Sequence, residues 1–205
     1  MPASRLNTDP TDRGAPVALH DRAIDDLRYI RETMVRSAAF TAVSGMGVAA
    51  MGLVAGVAFL LARGTTAGGW VGVWFGAAAF GFLISVFGTI RKARRIGEPL
   101  MHGPGRRLIL GALPALVVGG LLTLPIVADG SIEMLPSMWL MLYGTAVVGG
   151  GAFSVRPVPL MGAAFLTLGA ASLLIPTGYE NATMLAGFGG LHLVFGSWIA
   201  RRHGG

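Results

Sequence analysis

The stretch "GWVGVWFGAAAFGFLISVFGTI" runs from Gly69 to Ile90 and ends on "RKARR", Arg91 to Arg95. Twenty-two residues pass without a charge, and then four of the next five are basic. A helix rises 1.5 Å per residue, so this run matches a hydrocarbon core about 30 Å thick. A strand is excluded by the length, by the lack of apolar–polar alternation and by the richness in Ala and Gly.

Five further apolar runs read the same way. They cover about 40–62, ending at Arg63, then 108–127, 134–154, 157–175 and 182–200, the last ending at Arg201 and Arg202. The whole chain has 205 residues, 53% of them hydrophobic and 13% charged. Soluble domains carry about 25% charged residues, so a bilayer is the natural solvent. The 32 glycines fall largely within the apolar runs, where small residues let helices approach closely. The absence of cysteine excludes disulfides, thiolate metal sites and cysteine nucleophiles. The first 40 residues lack an apolar core and do not read as a signal peptide.

Upstream, residues 1–20 mix Pro, Gly, Asp and Arg without periodicity and read as a disordered tail. Residues 21–38 read as an amphipathic cytoplasmic or interfacial helix capped by Asp21. Its apolar stripe is Ile24, Leu27, Ile30 and Met34, a candidate partner surface. Arg28–Glu32 and Glu32–Arg36 are i,i+4 pairs on its other faces. The fold class is therefore all-α: a polytopic membrane protein with six transmembrane helices as three hairpins within 40–200. The amphipathic helix precedes them, and 201–205 form a cytoplasmic tail.

Charge sets an expected orientation. With the N-terminus in the cytoplasm, fifteen of the sixteen basic residues fall on the inner side, and Arg63 is the exception. The outward loops carry Asp129, Glu133 and Glu180. This is a strong positive-inside pattern and places both termini in the cytoplasm at the inner (cytoplasmic) membrane. It also accounts for the net charge of +6 without nucleic acid. Arg91, Lys92, Arg94, Arg95, Arg106 and Arg107 read as contacts for anionic lipid headgroups. Their loop lacks the GxxxxGK[ST] pattern of a phosphate-binding loop.

A weak repeat supports the hairpins. "LGALPALVVGGLLTLP" (Leu110–Pro125) aligns without a gap on "MGAAFLTLGAASLLIP" (Met161–Pro176), although spans rich in Gly, Ala and Leu also resemble one another by composition.

Ionisable groups within a bilayer are costly and mark function. Only His192, in "GFGGLHLVFG", lies near the centre of a span. An interhelical hydrogen bond is its favoured role; titration, or ligation of a metal or haem iron, is the sharper one. Tyr143, Thr145 and Ser85 are the other candidate cavity-lining groups. Ser/Thr hydroxyls in helices commonly bond their own backbone, as Ser154 and Thr89 would too. Trp70, Trp74, Trp139 and Trp198 lie toward span ends, as an interfacial belt would. Gly52/Gly56 and Gly72/Gly76 have close-packing spacing, and Gly149–Gly151 would loosen the fourth helix. Pro125, Pro136 and Pro176 would end or kink helices, and "NAT" at Asn181 matches a glycosylation sequon but lies too close to the membrane to serve as one. No catalytic motif or metal cluster is visible, and no cofactor is expected.

The set "LRYIRETM", "GPGRR", "LYGTAVVGGGAFSVRPVPLMG" and "GFGGLHLVFGSWIARRHGG" resembles an uncharacterised family of small bacterial six-helix membrane proteins, from about Leu27 to the C-terminus. The resemblance implies no activity, substrate or site residue.

Three functional readings follow. The first is a non-enzymatic signalling or scaffolding protein, whose N-terminal helix and basic face meet a cytoplasmic partner or a second copy. The alternative is a transporter or channel for a small neutral or lipid-like molecule, with a mid-membrane cavity. The third is a haem- or quinone-binding protein using His192.

Overall fold

The computed structural model describes residues 22–30, 33–34, 39–98, 100–101 and 103–204. The chain divides into two units, Met1–Ala38 and Ala39–Gly205. In the first, residues 22–30 and 33–34 are helical. Ile24, Leu27, Ile30 and Met34 are exposed there, and Arg28 pairs with Asp25 at 3.7 Å. The expected tail, the Asp21 cap, Glu32 and Arg36 lie outside the described residues.

The second unit is all-helical. Helix α1 is Gly45–Leu61, α2 is Ala67–Ile96, α3 is Gly103–Asp129, α4 is Leu135–Gly151, α5 is Pro157–Ser172 and α6 is Glu180–His203. A short 3-10 turn, Ile132–Met134, leads into α4. Helices α2, α3, α6 and the Ile132–Gly151 segment are long and apolar enough to cross a membrane. Helices α1 and α5 are apolar but shorter. The chain is thus a helical membrane protein.

Local chemistry sets the helix ends. The Ser44 hydroxyl accepts the Gly47 N–H at 3.0 Å, and the Thr66 hydroxyl accepts the Gly69 N–H at 3.2 Å, each capping a helix start. Helix α2 stops at Gly97, whose φ of 68° is the left-handed conformation of a C-terminal glycine. Pro136 and Pro157 lie in the first turns of α4 and α5, where a missing N–H costs nothing. Pro125 does not end its helix: α3 runs through both Pro114 and Pro125 to Asp129.

Helix α1 does not begin at residue 40. Residues 39–44 are non-helical, and Phe40 and Ala42 are buried against Ala93, Leu100 and Leu108. Phe40 is fully buried, its N–H bonds the Phe153 carbonyl at 2.7 Å, and Ser154 donates to the Phe40 carbonyl at 2.8 Å. Thr41 donates from backbone and side chain to Glu98. The amphipathic and apolar sequences are therefore separated by a pinned strap.

Helix α1 packs on α2 and α6, while α4 packs on α3 and α5. Helices α5 and α6 touch more lightly, and α2 and α3, though consecutive, scarcely touch. The tight seams are built on glycine. A Cβ on Gly196 would overlap Ala49 of α1, and one on Gly162 would lie 2.8 Å from the Gly144 carbonyl of α4. A Cβ on Gly149 would lie 2.7 Å from the Gly111 carbonyl and one on Gly150 2.6 Å from the Leu108 carbonyl, both of α3, while one on Gly151 would lie 2.9 Å from Pro159 of α5, so the triplet packs α4 closely on both neighbours. Gly52 also packs closely, on Gly189 and Leu193 of α6, but Gly56, Gly72 and Gly76 meet nothing.

Candidate lateral binding cavity

The gap between α2 and α3 opens into a cavity of about 210 Å³. Its walls come from α1, α2, α3, α4 and α6, and they are almost wholly apolar. Exposure grades from mouth to floor. Phe75 on α2 (45% exposed) and Leu116 on α3 (38%) stand at the mouth. Trp74 (3%), Met184 (2%) and His192 (1%) form the floor. An apolar cavity of roughly 150 Å³ holds a benzene ring, so this one admits a ring or a short acyl segment.

Sequence explains the mouth. On α2, Ala77, Ala78 and Gly81 line the cavity; on α3, Ala115, Gly119 and Gly120 do so. Small side chains leave the space that larger ones would fill. Gly120 is exposed, and a Cβ there would meet nothing within 4 Å.

One end of the gap is bridged by aromatic rings. Trp139 of α4 stacks on Trp70 of α2 at 5.7 Å and meets Phe75 edge-on at 5.4 Å. Its indole N–H donates to the Thr123 hydroxyl of α3 at 2.9 Å. Thr123 in turn donates to the Gly119 carbonyl at 2.8 Å. Trp74 donates to the Asn181 side-chain oxygen at 3.1 Å, and the Asn181 amide donates to the Phe59 carbonyl at 2.9 Å. Trp70 and Trp74 are therefore buried rings and Trp139 a half-buried one, with the Trp74 and Trp139 N–H groups spent inside the protein, which differs from a lipid-facing belt. Only Trp198 keeps substantial exposure. Asn181 uses both ends of its amide inside the protein, which leaves no role for the sequon.

The polar group of the cavity is a pair. The Tyr143 hydroxyl of α4 lies 2.7 Å from Nε2 of His192 on α6. Nδ1 of the same ring lies 2.8 Å from the Phe188 carbonyl. A carbonyl only accepts, so Nδ1 carries the proton in the neutral ring. Nε2 is then an acceptor, and Tyr143 donates to it. Rings surround the pair: Phe165 is 4.7 Å and Phe188 5.2 Å from the Tyr143 ring, both edge-on.

Helix α6 is wound to make this pair. Leu185–Leu191 forms a π-helix, and His192 begins the α-helix that follows. The backbone N–H of His192 bonds Gly189, so it does not take the Phe188 carbonyl, which the ring Nδ1 reaches instead. Wide π turns inside α-helices recur at functional sites. Gly187 and Gly189 lie in the turn, both buried.

The structure brings His192 and Tyr143 together but not the other two cavity candidates. Thr145 is exposed and donates to the Met141 carbonyl at 2.9 Å. Ser85 lies on the side of α2 that faces Gly47 of α1. Trp74, Trp139 and Phe188 were missed as lining residues; their positions near span ends or within a glycine-rich run concealed it.

At the basic end, Arg91, Arg94, Arg95 and Arg106 are exposed and Arg107 is half-buried. Lys92 differs. It is buried, and its ammonium donates to the carbonyls of Val43 at 3.0 Å, His203 at 2.6 Å and Gly204 at 3.0 Å. Its three donors tie α2 to the strap and to the end of α6, where a cation also meets the helix dipole. Lys92 is an internal brace rather than a headgroup contact.

No family model, curated protein or solved structure matches the chain. Among the described residues no group of three or more His, Cys, Asp or Glu side chains could hold a metal ion.

Proposed function

We propose that the protein takes up a small, mostly apolar molecule sideways from the bilayer and holds it between α2 and α3. In this reading six helices cross the inner (cytoplasmic) membrane, with both termini cytoplasmic. The observation that carries it is the apolar cavity whose mouth lies between two consecutive helices that scarcely touch. A mouth of this kind faces acyl chains rather than water. Concave, mostly apolar sites with few polar groups are the usual form of small-molecule sites. The charge distribution supports the orientation.

The resemblance to small bacterial six-helix proteins agrees with this reading and adds no ligand. The scaffolding reading rests on the exposed stripe of residues 22–34, and no feature of that unit names a partner. Ligation of haem by His192 is disfavoured, because both ring nitrogens already have partners within the chain.

The test uses the cavity's own tryptophans. In a Trp198→Phe chain the remaining indoles are Trp70, Trp74 and Trp139, all at the cavity or stacked on it. Titration with 1-bromodecane in detergent should quench their fluorescence saturably. Adding Gly120→Leu places an isobutyl group at a lining position where a Cβ meets no neighbour within 4 Å, and it should weaken binding at least tenfold. Unsaturable quenching, identical in both chains, would exclude the site.

A further inference from the structure

The Tyr143–His192 pair says which polar group the ligand carries. Resting on the cavity reading above, we propose that the ligand presents one hydrogen-bond donor, an alcohol or phenol hydroxyl, to the oxygen of Tyr143. Lipid-like molecules whose only polar group is an acceptor (ketone, ether or ester) are discriminated against.

The Phe188 carbonyl fixes the His192 proton on Nδ1, so Nε2 takes the Tyr143 proton. Both donors of the pair are then committed within the protein. Tyr143 lines the cavity, and what its hydroxyl retains for a ligand is oxygen lone pairs, which only accept. The other polar side chains beside the cavity are also committed. The Trp74 N–H goes to Asn181, the Trp139 N–H to Thr123, and the Thr123 hydroxyl to Gly119. Among the described residues no buried side-chain nitrogen or oxygen lacks a partner. An incoming carbonyl would therefore find no free donor and would lose its hydration, whereas a hydroxyl would find an acceptor. A buried polar group without a partner is penalised more than a made bond is rewarded, so the discrimination should be clear.

His192 acts here as a positioning residue: it sets the polarity of the site by holding the Tyr143 proton. Replacing it with Phe keeps a ring beside Phe188 and releases that proton. Tyr143 could then donate, and an acceptor-headed ligand would bind.

The experiment is competition against 1-bromodecane in the Trp198→Phe chain, reading recovery of tryptophan fluorescence. At matched micellar mole fractions 1-decanol should displace the probe about five- to tenfold better than 2-decanone. In His192→Phe the two should differ less than twofold, chiefly through a gain by the ketone. Equal displacement by the two in the unsubstituted site overturns the inference while leaving the cavity intact, and this comparison does not depend on the His192 variant folding. An unchanged preference for decanol in a folded His192→Phe chain also overturns it. If 1-bromodecane itself fails to quench saturably, the cavity reading falls instead.

Discussion

Lys92 and His192 are the two basic side chains buried among the described residues, and they differ in how visible they are in the sequence. His192 stands out because it alone among ionisable residues lies deep in an apolar run. Its partner does not, because Tyr143 is 49 residues away and nothing local marks the pairing. Lys92 is hidden for the opposite reason. It sits among four arginines in "RKARR", and a run of like charges conceals a member that points inward. The spacing offers one physical clue. Lys92 is followed by the small Ala93, which is buried against Phe40 and Ala42 of the strap. Lys92→Met should remove three hydrogen bonds and leave their carbonyls without this donor. The expected cost is about 1–3 kcal/mol, read as a lower thermal midpoint in detergent. Arg94→Met, at an exposed position, should stay within about 0.5 kcal/mol of the parent chain. Equal shifts for the two would show that Lys92 is not a brace.

At the scale of elements, the apolar runs predict where helices lie, because hydropathy and length together leave few alternatives. Their ends are less legible. Helix α2 extends past the apolar run to Ile96, since basic residues continue a helix readily. Helix α1 starts late, since the strap at Phe40–Ser44 is held by tertiary bonds that no local pattern announces. Glycine pairs show the same limit. The spacing of Gly72 and Gly76 matches a close-packing motif, yet neither touches a neighbour, whereas Gly162 lies against α4. A small-residue motif states that a close approach is permitted, and only the partner helix decides whether it happens. Gly162→Leu should therefore cost about 1–3 kcal/mol or more by forcing α4 and α5 apart. Gly76→Leu should be neutral or stabilising, because it meets open space and favours the helix. Thermal unfolding of the two variants compares them directly, and equal destabilisation would contradict the packing described here.

At the scale of the molecule, α1, α4, α5 and α6 supply the packed centre, and α2 and α3 stand against it as two flanks. The hydrophobic sequence identifies a membrane protein but not this arrangement, because lipid-facing and cavity-facing apolar residues look alike. The tryptophans illustrate the difficulty. Amphipathic rings near span ends suit an interface equally well as an interior bridge, and Trp139 becomes a bridge only because Thr123 and Trp70 come from two other helices. The cavity is thus a property of helix order in space, set by which seams the glycines seal and which gap is bridged only at one end.

The proposed way in is this gap between α2 and α3. The chain has no cysteine, so an Ala78→Cys/Leu116→Cys pair introduces thiols only at the mouth. Joining them with a reducible bifunctional thiol reagent should block saturable quenching of the cavity tryptophans by 1-bromodecane, and reduction should restore it. Undiminished quenching in the fully crosslinked protein would contradict entry between α2 and α3.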